Sequence, residues 1–136
     1  MSVAKMPTIR NYDEALDMLN GRTYKKIGNN TELVYNGKDS VGVRYHNTVI
    51  VRFHQNGALE LDCNGWPTMT TLGRMHQFAI HKGFGVGRSN WKTTATRHPW
   101  KITNENTLVA WDHIMIRPDG TVEVLAPQTY FEREPK

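Results

Sequence analysis

Near the start of the chain, apolar residues recur at a helical interval. Tyr12, Ala15, Leu16 and Leu19 fall at i, i+3, i+4 and i+7, one face of a helix. Asn11 stands where it can cap that helix, and Asp13 and Glu14 occupy the first turn, where negative charge meets the positive end of the helix dipole. Asn20-Gly21 supplies a left-handed stop. From Thr31 to Gly65 the interval changes to two. Leu33 and Tyr35, then Val41, Val43 and Tyr45, then Val49, Val51 and Phe53, then Leu59 and Leu61 alternate with polar residues. Asn36-Gly37, Asn56-Gly57 and Asn64-Gly65 punctuate them, and Asn-Gly tolerates the positive φ of tight hairpin turns. A meander of four antiparallel strands is expected here.

Helical spacing returns between Pro67 and Lys82. Leu72, Met75, Phe78 and Ala79 form the stripe, Thr68 or Thr70 can cap it, and Gly83 ends it. Gly83 to Lys101 has no clean period and is expected to be a long loop, a length that is usually functional or mobile. Leu108 to Trp111, Ile114 to Ile116 and Val122 to Leu125 are expected strands, the last two joined at Pro118-Asp119-Gly120, with a frayed tail from Pro127. Phe53 to Leu61 aligns without gaps on Ile116 to Val124, an echo of two similar hairpins too generic to imply a repeat fold. The expected fold is α+β: an antiparallel sheet of about seven strands with two helices, in one domain spanning 1–136.

Charge changes this picture. The chain has 136 residues, 17 Lys and Arg against 13 Asp and Glu, and a formal charge of +4. The 42 residues from Cys63 to Asn104 contain no acid and carry Arg74, Lys82, Arg88, Lys92, Arg97 and Lys101, a local +6, which leaves −2 for the remainder. Trp66, Trp91, Trp100, Phe84 and the run Gly83-Phe84-Gly85-Val86-Gly87-Arg88-Ser89-Asn90-Trp91 share that segment. Cations beside flat rings suit a polyanion that also carries bases. The candidate phosphate contacts are Arg74, Lys82, Gly85, Gly87, Arg88, Ser89, Asn90, Arg97 and Lys101, with the Gly-rich run as an anion nest. Phe84, Trp91 and Trp100 are the candidate stacking rings. Trp66, where strand meets helix, is expected in the core. The ordinary alternative is a solvated basic loop whose aromatics belong to the core.

Catalytic signatures are missing. The lone Cys63 allows no internal disulfide and no cysteine-rich zinc site, and Asp62 beside it disfavours a thiolate. His76 and His81 lie five apart, the wrong spacing for a helical metal pair. Glu60 and Asp62 alternate with Leu59 and Leu61 and should point outward from the sheet. No Gly-x-Ser-x-Gly elbow or Walker-type loop occurs. No cofactor, no metal and no enzyme activity are expected. No apolar run approaches the roughly 18 residues needed to cross a bilayer, and the first ten residues lack a signal-type apolar stretch, so a cytoplasmic protein without a membrane partner is expected.

Three blocks carry a resemblance. Gly28-Asn29-Asn30-Thr31, then His46-Asn47-Thr48, then Gly65-Trp66-Pro67-Thr68-Met69-Thr70-Thr71 with Arg74 are similar to a pattern in small proteins encoded by bacteriophages and prophages. The likeness covers roughly Lys26 to Phe78 and transfers no site residue. It implies a viral origin and expression in an infected bacterium, where such proteins bind host enzymes, viral DNA or nucleotide signals of immunity. The last block has a structural reading as strand end, sheet cover and helix cap. It also has a functional one, with Thr70, Thr71 and the helix N-terminus addressing a phosphate. His46 is expected to be a half-buried strand residue. Taken together, the expectation is a non-catalytic binder of a nucleotide or single-stranded nucleic acid, assembled as a homo-oligomer. The alternative is a protein-only module holding a host or viral protein.

Overall fold

A computed structural model of the chain describes residues 5–37, 39–100 and 104–128. Its first helix, α1 (Tyr12–Leu19), is capped by the Asn11 side chain, which accepts from the Glu14 N–H at 2.9 Å, and it ends on Asn20 at φ 50°. Five strands follow: β1 (Tyr24–Gly28), β2 (Thr31–Tyr35), β3 (Ser40–Tyr45), β4 (Thr48–His54) and β5 (Leu59–Asp62). The second helix, α2 (Met69–Ala79), leads through a short 3-10 turn into β6 (Phe84–Ser89), β7 (Lys92–Arg97) and β8 (Thr107–Val109), and the chain closes with β9 (Trp111–Ile116) and β10 (Val122–Pro127). The α+β class holds. A seven-stranded sheet runs β1-β2-β3-β4-β5-β9-β10, a three-stranded sheet runs β6-β7-β8, and every described pairing is antiparallel. The helix α2 and the small sheet are thus inserted between two neighbouring strands, β5 and β9.

Register explains the core. Leu33, Val43, Val51, Leu61 and Ile114 stand opposite one another on consecutive strands, and all are fully buried. Val41, Phe53, Leu59 and Ile116 form the next row, and Phe53 meets Phe78 of α2 edge to face at 5.8 Å. Because side chains alternate along a strand, the intervening residues share the opposite face. There Glu32 faces Arg44, and the row Gly42, Arg52, Glu60, Met115, Glu123 crosses the sheet.

The structure corrects four expectations. Gly83 to Lys101 is no loop over its described part: β6 and β7 form a hairpin closed at Asn90-Trp91, both at positive φ (50° and 65°). A strand precedes the meander, since β1 pairs with β2 through the Asn29-Asn30 turn. The span Leu108 to Trp111 is broken at Ala110 (φ 65°), which sends β8 to the small sheet and β9 to the large one. Of the expected frayed tail, Pro127 pairs with Trp111 and buried Gln128 accepts from the Thr93 N–H at 2.7 Å, while 129–136 lie outside the described residues.

Candidate functional site: a threonine- and tryptophan-lined cleft at the start of α2

The basic segment does not converge. Arg74 is buried within α2, where its Nε donates to Thr31 Oγ1 (2.9 Å) and its guanidinium lies 4.3 Å over the Tyr45 ring. The side chains of Lys82, Arg88 and Arg97 donate to the backbone carbonyls of Gly57, Pro67 and Gly120 respectively. These cations compensate carbonyl dipoles at loop ends. Nor is the Gly-rich run a nest. Gly85 and Gly87 sit inside the β6–β7 ladder, and a Cβ on Gly85 would come within 2.7 Å of Pro99. Ser89 and Asn90 are exposed at the hairpin tip, and Lys101 lies outside the described residues. Phe84 is buried beneath Arg97, and Trp91 is half-buried with its carbonyl held by Gln128. Of the three candidate rings only Trp100 is exposed, at 72 %, tilted against His98 at 5.0 Å.

What the fold brings together instead is the three resembling blocks. Asn30 accepts from the His46 N–H at 2.8 Å, and Arg74 ties α2 to Thr31 and to the Asn29 carbonyl (3.2 Å). Thr68 caps α2 by accepting from the Thr71 N–H, so Thr68 rather than Thr70 does that work. Between them opens a cleft of about 410 Å³. Ile50 and Cys63 form its apolar floor, Tyr45 and Trp66 its walls, and Thr48, Thr68, Thr70 and Thr71 complete its lining, the Thr68 hydroxyl donating to that of Thr71 at 3.0 Å. A neighbouring cleft of about 380 Å³, lined by Lys26, Asn29, Asn30 and Asn47, shares His46 with the first.

Two residues here contradict their sequence reading. Trp66 is not core: 63 % of it is exposed, beside Met69 at 62 %. The Asn64-Gly65 turn (φ 52° and 77°) directs the indole outward, and Asp112 fixes that turn by accepting from the Gly65 N–H with both carboxylate oxygens at 3.0 and 2.9 Å. Burial raises the Asp112 carboxyl above its ordinary range, with the Gly65 N–H opposing. His46, in turn, is an exposed residue of the β3–β4 turn at φ 56°, with its ring 4.3 Å from that of Tyr45.

The electrostatics favour an anion at one end of this cleft and disfavour nucleophilic chemistry at its floor. The first-turn N–H groups of Met69 and Thr70 have no acceptor within their own helix, and α2 has no acidic residue in that turn to neutralise its positive end. Burial, reinforced by the charges of Asp112 and Asp62, drives the Cys63 thiol far above its ordinary value, so it stays neutral. No helix among the described residues is long and apolar enough to cross a membrane.

Comparison with curated proteins and with solved structures gives no match. A family model described as Kyanoviridae Gp96 protein matches residues 10–117, which takes in every element from α1 to β9 and all of the three resembling blocks. The chain therefore belongs to this phage protein family.

Proposed function

We propose that this phage protein is a non-catalytic binder of a nucleotide, acting in the cytoplasm of the infected bacterium, with its site in the cleft at the start of α2 rather than on the basic hairpin. The observation that carries the reading is the exposed Trp66 indole standing beside a helix N-terminus without first-turn acid. A planar ring and an anion-binding end in one cleft match the two halves of a nucleotide: base against indole, phosphate against backbone N–H and threonine hydroxyl. A cleft of about 410 Å³ lies within the range of roughly 300–1,000 Å³ for small-molecule sites. The neutral Cys63 thiol supports binding without turnover. Titration of mono- and dinucleotides followed by tryptophan fluorescence tests the reading, and saturable quenching by a phosphorylated nucleotide but not by its nucleoside is expected. A second reading, a protein-binding surface, draws on the adjacent exposed Trp66 and Met69; it predicts no response to any nucleotide.

A further inference from the structure

The outer face of the large sheet carries a group of side chains that the cleft does not use. Glu60 on β5 is its centre, with a side chain 12 % exposed. Its Oε1 lies 2.8 Å from His54 Nε2 on β4, and its Oε2 lies 2.6 Å from His113 Nε2 on β9. A carboxylate oxygen only accepts, so each imidazole donates through Nε2, and a neutral His113 then carries its lone pair on Nδ1. That lone pair faces Asp62 Oδ2 at 3.8 Å. The other oxygen of Asp62 accepts from the Asn64 N–H at 2.8 Å, which holds Oδ2 toward the histidine. Two acceptors at that separation form no hydrogen bond and repel unless positive charge lies between them.

We propose that Asp62 Oδ2 and His113 Nδ1, with Glu60 behind the imidazole, form a site for a divalent transition metal ion. The 3.8 Å between those two atoms is a span that two Zn²⁺ bonds of roughly 2.0–2.2 Å bridge, with water completing the coordination. Imidazole with carboxylate suits Zn²⁺, Co²⁺ or Mn²⁺ better than Ca²⁺, which takes oxygen ligands alone. Glu60 and His54 are positioning residues: Oε2 accepts the His113 Nε2–H and so leaves Nδ1 for the ion, and His54 holds Oε1. Two carboxylates against the single guanidinium of Arg52, 3.4 Å from Glu60, leave one negative charge for the cation to offset. Three neighbouring strands, β4, β5 and β9, supply the set, so its spacing is fixed by register rather than by a loop.

The test is calorimetric titration of Zn²⁺ into the untagged, chelator-treated full chain, with circular dichroism on every variant. One saturable site per chain is expected. Asp62→Asn retains the Asn64 contact and should weaken binding at least tenfold, as should His113→Gln. His54→Gln should weaken it roughly 10–100-fold, the usual cost of losing an orienting partner, and His81→Gln, on the exposed turn after α2, should leave it unchanged. Absence of a saturable site, or an affinity that survives both His113→Gln and Asp62→Asn in folded protein, overturns the proposal and leaves the group an imidazolium salt bridge.

Discussion

Arg74 Nε donates to Thr31 Oγ1 at 2.9 Å, joining residues 43 apart in the chain. The same hydroxyl donates to the Asn29 carbonyl at 2.8 Å, and that carbonyl also accepts from Arg74 Nη2. With Tyr45 beneath the guanidinium, one buried side chain on α2 links the β1–β2 turn to the end of β3. This linkage puts His46 opposite the α2 N-terminus, and so the cleft depends on it.

Arg74→Met keeps most of the volume and removes the donors. The buried Thr31 hydroxyl then loses a charged partner, which costs about 1–3 kcal/mol when nothing replaces it, and the exposed Asn29 carbonyl loses a second donor. Urea unfolding should show a loss of roughly 2 kcal/mol or more, with Arg74→Lys recovering only part, because an ammonium lacks the planar fork. A loss within about 0.5 kcal/mol, typical of a surface site, would show that Arg74 is not the linker.

Much of this was legible beforehand. Asn11, Asn20, Thr68 and the Asn-Gly turns announced α1, α2 and the meander because their chemistry is local. The β6–β7 hairpin was hidden for three reasons. Its first strand contains Gly85 and Gly87, which weaken any strand pattern. Its second, Thr93-Thr94-Ala95-Thr96, offers little apolar alternation. Its turn puts Trp91 at φ 65°, where glycine is the usual sign of such a turn. The placement of the cations was hidden for a different reason: Arg88 and Arg97 donate to the carbonyls of Pro67 and Gly120, acceptors that no side-chain pattern reveals. Trp66 was misplaced because apolar type stood in for burial. The outward sense of Glu60 follows from alternation, but its meeting with His113 needs the β5–β9 register, and those strands are separated by α2 and the small sheet. The echo was a partial signal. His54–Glu60 and Arg117–Glu123 are the same cross-hairpin pair in the two aligned segments.

Cys63 gives a check on the cleft floor. It is 2 % exposed with its thiol pushed up chiefly by burial. A disulfide reagent at pH 8 should leave the native protein unmodified for as long as it stays folded, and should label one thiol at once in denaturant. Rapid native labelling would mean that the floor is open and the thiol ionises.

Assembly follows from the two edges of the large sheet. β1 presents Lys25 and Lys26, which discourage pairing, whereas β10 presents Val124 and Leu125, 44 % and 42 % exposed. A dimer through β10 is the expected outcome. Light scattering should give a mass above the 15.6 kDa monomer, returned to that value by Leu125→Glu. A monomer in the parent chain would contradict this.

The most direct measurement for the nucleotide site compares the parent with Trp66→Ala. An indole 63 % exposed contributes little to the fold, so unfolding free energy should change by no more than about 0.5–1 kcal/mol. Loss of a stacked base should reduce affinity for the best nucleotide roughly five- to a hundredfold, equivalent to about 1–3 kcal/mol. Trp100→Ala, which removes a ring that does not line the cleft, should leave that affinity within a factor of about two. Unchanged nucleotide affinity in folded Trp66→Ala would contradict the account.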